Sequence, residues 1–297
     1  YAGVMPLYYK GYMNEKIEQA LAKFNDRVVS ANYFQSVIDA TISAQLADLY
    51  KMKKGAKSYD NDRLISVHNF TVPHLKTGEI FYVGSTTHTI DTKINDLWMQ
   101  HNRQNQWLLA EIYESFETFI FELYAISGYA GVPIWKKDDL PQGEKNLDDY
   151  FRQIENKRTI TSKYIMGQLA INIPEIKKVE MKNTFRDINI RFAIRLIANF
   201  RHLIVHKHGI IDDKEALISK VIKESGMSIS KDKRSFYVSF VDYYLGNGGY
   251  SNHILLLKRK VDLGLPIETH KSRINDMFSI LLSYAHFVCE CIIKYKA

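Results

Sequence analysis

The sequence is poor in cysteine, with two in 297 residues, and both lie in an apolar helical pattern near the C-terminus. Cys289 and Cys291 are one residue apart, so on a helix their side chains point in different directions and are badly placed for a disulfide. Two thiols are also too few for a structural zinc site. We therefore expect free thiols in a reducing compartment, and neither a metal nor another cofactor.

Long hydrophobic runs are also missing, because no window approaches the roughly 18 consecutive apolar residues that a membrane span needs. The N-terminus lacks the charged and then apolar layout of a signal peptide. Because the sequence begins at Tyr1 rather than at a methionine, we expect a trimmed chain or one that begins after a disordered start. These features predict a cytoplasmic protein with no membrane partner.

Neither sign of charge dominates, since 40 Lys and Arg residues against 33 Asp and Glu residues give a formal net charge of +7. With 46% hydrophobic and 25% charged residues, the composition is that of a globular protein and excludes a disordered or fibrous one. The length allows two domains. The positive excess is compatible with a polyanion such as RNA but is too small to establish one.

We consider the chain as an N-terminal region, 1–100, and a C-terminal region, 101–297. The N-terminal region combines helical periodicity with short β-branched runs, which predicts a helical hairpin or one bent helix followed by a β-hairpin. The pattern predicts helix at 14–50 with a break at Asn25-Asp26, a loop at 51–62 and a β-hairpin at 63–90.

The C-terminal region is predicted to be mainly α-helical, because apolar residues recur at intervals of three and four over long segments. A small β element is also expected, since Phe236, Val238 and Phe240 alternate with Ser and Tyr and a glycine-rich run follows. The predicted helices lie at 107–126, 147–155, 176–205, 214–224 and 274–295, and the predicted hairpin at 235–257.

The most informative segment is the predicted helix that ends before Gly209. Its apolar residues fall on one face, which we expect to enter the core, and a polar stripe is expected to face solvent. A stripe that had only to be soluble would hold Lys and Glu, whereas this one holds imidazoles, an amide and guanidiniums. Cations that complement the negative end of the helix dipole are the alternative interpretation. The stripe consists of Arg195, Asn199, His202 and His206, with Arg201 on its flank.

An imidazole and a guanidinium together suit the cleavage of a phosphodiester without a metal. His206 can take or give a proton near neutral pH, and Arg201 can hold phosphate oxygens and stabilise the charge that grows on them. His202 and Asn199 are expected to orient these groups through hydrogen bonds. This chemistry selects RNA, because its 2′-hydroxyl is the internal nucleophile. One His206 cannot easily act as both acid and base, so either His202 helps or a second chain supplies another His206.

The segment Arg201-His202-Leu203-Ile204-Val205-His206 resembles the motif of the HEPN superfamily: Arg, then a polar residue, then His, with four to six residues between the Arg and the His. The helix at 108–126 resembles the family's leading helix and the one at 274–295 its closing helix, so the resemblance covers about residues 100–297. It implies an α-helical bundle that dimerises so that two Arg and His pairs share one cleft. It also implies metal-independent endoribonuclease activity, often in toxin or antiphage-defence proteins, with Arg201 and His206 as the catalytic pair.

Several points stay open at the level of sequence. A carboxylate on the leading helix could orient the catalytic Arg or His, although helix solubility also explains these glutamates. A non-catalytic module that holds RNA, a nucleotide or a partner protein is the alternative function, and a purely structural helical protein is a third. A regulatory partner or antitoxin is expected if the protein is a toxin. The glutamates in question are Glu111, Glu114, Glu117 and Glu122.

Overall fold

A computed structural model of the chain describes residues 7–55, 66–143, 146–182, 187–227, 231–261 and 268–295. Within these ranges the protein is mainly α-helical with two small antiparallel sheets of two strands each, which confirms the predicted fold class at this level. The chain forms two compact units. The smaller runs from Tyr33 to Asn105, and the larger combines the described residues up to Asn32 with those from Gln106 onward. The start of the chain therefore belongs with the C-terminal region, unlike the expected division at residue 100.

The first helix, α1, spans Leu7–Gly55 without interruption. The expected break at Asn25-Asp26 is wrong, because buried apolar residues keep their spacing of three and four through this point. The helix also continues into the predicted loop at 51–62, of which residues 56–62 lie outside the described residues. The buried stripe of α1 in the larger unit consists of Met13, Ile17, Ala20, Phe24, Val28 and Ala31.

The smaller unit contains a β-hairpin. β1 (Ser66–Pro73) pairs antiparallel with β2 (Ile80–His88), so the hairpin predicted at 63–90 is confirmed over residues 66–88. α2 follows directly, spans Ile90–Tyr129 and continues into the larger unit. It includes the predicted leading helix.

In the larger unit the last helix, α9 (Arg273–Tyr295), is part of the core, because its apolar side chains are mostly buried. In a second hairpin, β3 (Lys258–Val261) pairs antiparallel with β4 (Thr269–Ser272) just before α9. The elements are α3 (Leu147–Asn156), α4 (Ser162–Asn172), α5 (Pro174–Glu180), α6 (Ile190–Lys207), α7 (Lys214–Ser225), α8 (Lys231–Asp242), β3 (Lys258–Val261), β4 (Thr269–Ser272) and α9 (Arg273–Tyr295).

Two predicted elements of the larger unit are wrong in type or extent. The first strand of the hairpin expected at 235–257 is part of α8, because Tyr237, Val241 and Tyr244 are buried at the helical spacing of four and three residues. The small β element lies instead at β3 and β4. The single helix expected at 176–205 is two helices, α5 and α6.

The expectation that no apolar run approaches the length of a membrane span is wrong at α9. Its length and hydropathy meet the criterion for a membrane span, but 61% of the qualifying window is buried inside the protein, which is typical of a core helix. Cys289 and Cys291 lie in this helix as free, buried thiols. Burial raises the pKa of Cys289 to about 12, so this thiol stays protonated.

Candidate active site

The end of α6, which carries the predicted site, is fixed by backbone geometry and by α2. His208 and Gly209 both adopt left-handed conformations, with φ of 55° and 75°, and the Gly209 N–H donates to the Leu203 carbonyl at 3.0 Å. A Cβ atom at position 209 would lie 2.4 Å from the Gln106 side chain, whose Nε2 donates to the Ile254 carbonyl. The last turn of α6 is therefore anchored on two sides, which positions the residues of the motif.

Only the last two turns of α6 reach the surface. From Phe192 to Phe200 almost every residue is buried, whereas four of the last six residues of the helix are exposed. The predicted core face is confirmed at five of its six positions, and Leu203 is half-buried. The buried positions are Ala193, Leu196, Ile197, Phe200 and Ile204, and the exposed ones are His202, Val205, His206 and Lys207.

The expectation of a solvent-facing polar stripe is wrong for Arg195 and Asn199, which are 4% and 6% exposed. Asn199 Nδ2 donates to Glu224 of α7 and to the Arg195 carbonyl, both at 2.9 Å. Arg195 Nη2 lies 3.6 Å from Met166 Sδ of α4, and burial lowers the pKa of this guanidinium. α4 and α7 therefore cover this side of α6. Asn199 links α6 to α7 and does not orient Arg201.

Arg201 is held by the leading helix. Its Nη2 donates to Glu114 Oε1 of α2 at 2.5 Å, and the Arg201 side chain is 28% exposed. Its Nε is buried and has no hydrogen-bond partner among the described residues. A guanidinium carries five N–H donors, so this contact fixes its position and leaves other donors for a ligand.

Glu114 is the glutamate of the leading helix that contacts the predicted site. Glu117 accepts a hydrogen bond from Ser162 at 2.6 Å, and Glu122 pairs with Lys23 at 3.4 Å. Glu111 is exposed. The sequence could not choose among the four, because the choice depends on how α2 and α6 are rotated against each other.

His202 and His206 form an exposed pair of imidazoles. Their ring centroids are 4.7 Å apart and their planes are inclined by 53°. The pKa of His202 is lowered from its ordinary value of 6.5, first by partial burial and then by the charges of His206 and Lys220. His202 is therefore neutral at neutral pH and able to accept a proton.

Lys220 on α7 is a residue of this surface that the sequence did not indicate. The short connection between α6 and α7 and the bond from Asn199 to Glu224 set the two helices antiparallel. One turn along α6 from Asn199 leads to the level of His202, and one turn back along α7 from Glu224 leads to Lys220. Lys220 is exposed and, within the described ranges, has no ion pair. It supplies an uncompensated positive charge beside the imidazole pair.

Arg201 and His206 reach different sides of the helix end. Five residues of α-helix separate them by about 140° around the axis, and Arg201 contacts α2 while His206 contacts His202. In the described part of the chain no group of three or more His, Cys, Asp or Glu side chains could hold a metal ion. Comparison of the chain with family models, with known proteins and with solved structures finds no match.

Proposed function

We propose that the protein is a metal-independent endoribonuclease of the HEPN type. The observation that carries this proposal is Arg201, a partly exposed guanidinium that Glu114 holds in place at the end of α6. Its helix also presents the exposed imidazoles of His202 and His206. A cation held in advance by a second residue needs no reorganisation when charge grows on a phosphate, and this is the usual condition for electrostatic catalysis.

In the proposed reaction the 2′-oxygen of RNA attacks the adjacent phosphorus while the bond from phosphorus to the 5′-oxygen breaks. One imidazole takes the proton of the 2′-hydroxyl, and another group gives a proton to the leaving 5′-oxygen. We assign one of these two roles to His206. His202, which is neutral at neutral pH because of its lowered pKa, supports proton transfer as a neighbouring acceptor. Arg201 holds the phosphate through its free N–H donors.

We further propose that the protein works as a homodimer in the cytoplasm. The separation of Arg201 and His206 around α6 supports a dimer, because a second copy with its own α6 end in the same cleft would place an imidazole opposite a guanidinium. An endoribonuclease of this kind fits a toxin or antiphage-defence effector that is restrained by a regulatory partner or antitoxin.

The test is to incubate the purified protein with a labelled single-stranded RNA in excess EDTA and to identify the product ends. We expect a 2′,3′-cyclic phosphate and a 5′-hydroxyl, no cleavage of the DNA of the same sequence, and a dimeric mass by light scattering at micromolar concentration. Equal cleavage of DNA would contradict the 2′-hydroxyl mechanism. Undiminished cleavage by a monomer would contradict the composite site.

A non-catalytic module is the second candidate, and Lys220 is the observation that favours it. An exposed, uncompensated cation beside His202 would bind RNA phosphates whether or not cleavage follows. This alternative predicts salt-sensitive RNA binding with no cleavage products in the same assay.

A further inference from the structure

Three cations converge on one aromatic ring near the start of α9, in a part of the larger unit that shares no residue with the site on α6. Arg259 of β3 and Arg273 of α9 each place the guanidinium carbon 5.5 Å from the centroid of the Tyr243 ring. Lys271 of β4 places its Nζ 5.8 Å from the same centroid. The attraction of one ring for a cation is modest, so it does not by itself offset the repulsion among three.

Two of these cations face each other across the hairpin. Arg259 and Lys271 are direct partners in the register of β3 and β4. Like charges at directly opposite positions destabilise a pair of strands, and β3 and β4 are each four residues long. The hairpin therefore has a built-in repulsion that an anion would relieve.

The third cation is buried. Arg273 is 7% exposed, its Nη1 donates to the Leu255 carbonyl at 3.1 Å, and its Nε has no hydrogen-bond partner among the described residues. A buried charge is costly unless a counter-charge and hydrogen bonds compensate it. Burial and the neighbouring Arg259 both lower the pKa of Arg273, in agreement with an environment that is short of negative charge.

Asp276 compensates only part of this positive charge. It is 5% exposed, pairs with Lys271 at 3.1 Å and accepts a hydrogen bond from the Tyr243 hydroxyl at 3.3 Å. In the part of the chain that the structure describes, Arg259 and Arg273 make no ion pair with a carboxylate. Among the described residues, three cations against one carboxylate leave two positive charges in excess at this point.

A cavity of about 310 Å³ adjoins the cluster. It lies at the lower end of the range of small-molecule sites, roughly 300 to 1,000 Å³. Phe236 in its wall is 43% exposed, so the aromatic lining is accessible from solvent. Lys271 and Tyr243 belong both to the cavity and to the cation cluster. The lining of the cavity includes Phe236, Phe240, Tyr243, Tyr244, Lys271 and Asp276.

We propose that this place binds a nucleoside phosphate, with the phosphate on Arg259 and Lys271 and the base against the aromatic rings of the cavity. Arginine binds phosphate oxygens through two parallel hydrogen bonds, and aromatic side chains stack on bases of any sequence. The phosphate supplies the negative charge that Arg259 and Arg273 lack among the described residues. The same chemistry would fit a free nucleotide or one nucleotide of an RNA strand.

The test is titration calorimetry of the full chain with AMP, GMP, CMP and UMP, and separately with inorganic phosphate. We expect at least one nucleotide to bind more tightly than inorganic phosphate and to raise the melting temperature. Arg259→Gln should weaken that nucleotide about tenfold or more, because it removes charged hydrogen bonds to the phosphate. Lys260→Gln is the matched control, since it removes the same charge from the same strand at a residue that pairs with Glu268.

Three further measurements distinguish the source of the ligand and the role of this place. Displacement of the bound nucleotide by a short single-stranded RNA would identify a nucleotide of RNA as the ligand, and failure to displace it would identify a free nucleotide.

Without nucleotide, Arg259→Gln should melt no lower than the unaltered protein, because it relieves the repulsion with Lys271. His206→Ala should bind the nucleotide normally, so failure of the endoribonuclease proposal would not affect this result. Binding of none of the four nucleotides, or equal effects of Arg259→Gln and Lys260→Gln, would overturn the proposal.

Discussion

Arg201 of α6 and Glu114 of α2, which are 87 residues apart in the sequence, form an ion pair at the point where α6 emerges from the core. The pair sets the position of the guanidinium from outside its own helix. The motif helix alone therefore does not define the proposed site, since the leading helix contributes the residue that orients one of its two main groups.

Glu114→Gln should lower kcat for RNA cleavage by about tenfold to a hundredfold, because a misplaced group loses much of its catalytic effect. KM should change little, since the charge of Arg201 remains. Glu111→Gln is the control, because it removes the same charge from an exposed position of the same helix. Steady-state kinetics of the two variants decide the point. A rate at or above that of the unaltered protein in Glu114→Gln would show that Glu114 does not position Arg201 for catalysis.

The lowered pKa of His202 makes a prediction about pH. The folded protein binds a proton at His202 less readily than the unfolded chain, so the contribution of His202 to the free energy of unfolding is fully present above pH 6.5 and is lost as the pH falls through the lowered pKa. NMR titration should give His202 a pKa below 6.5, and Lys220→Ala should move it back towards 6.5. Lys214→Ala on the same helix, where Lys214 pairs with Asp242, should leave it unchanged. A His202 pKa at or above 6.5 in the unaltered protein would contradict the arrangement.

Lys220→Ala should raise KM for RNA and leave kcat nearly unchanged, because Lys220 is expected to hold a phosphate beside the one that is cleaved. The dependence of log affinity on log salt should become shallower by about one unit. RNA binding at several salt concentrations measures both effects. An unchanged salt slope, or the same loss of RNA affinity in Lys214→Ala, would show that Lys220 does not contact the RNA substrate.

Asn199→Ala should reduce stability rather than catalysis. The substitution leaves the half-buried Glu224 carboxylate without the hydrogen bond that it accepts from Asn199, which costs about 1 to 3 kcal/mol. Chemical denaturation measures this loss, and Asn156→Ala at an exposed position is the control. A folded Asn199→Ala protein with normal stability but no cleavage would restore the orienting role first expected of Asn199.

Local signals in the sequence were sufficient for several elements. α7 begins where Asp213 accepts a hydrogen bond from the Ala216 N–H, and an Asp before an apolar helical pattern is a signal of just this kind. α9 follows from its long apolar stripe. α8 was misassigned because alternation over six residues fits a strand, and only the burial of Val241 and Tyr244 further along makes the helical period clear.

Part of the candidate site could also be predicted from the sequence. The types and spacing of Arg201, His202 and His206 indicated the chemistry, since these properties are local to one helix. The burial of Arg195 and Asn199 depends on α4 and α7. The periodicity of α6 does not show which helices pack against it. The contact of Glu114 and the approach of Lys220 are likewise properties of helix pairing.

The most direct test of the endoribonuclease proposal is the rate of RNA cleavage by His206→Ala compared with His208→Asn. His208 is an exposed neighbour with a left-handed φ of 55°, a conformation that asparagine tolerates, so its variant controls for loss of a histidine at the helix end. We predict that His206→Ala loses a factor of about 10² to 10⁴ in rate at an unchanged melting temperature, while His208→Asn cleaves as the unaltered protein does. Full cleavage by a folded His206→Ala protein would contradict the account.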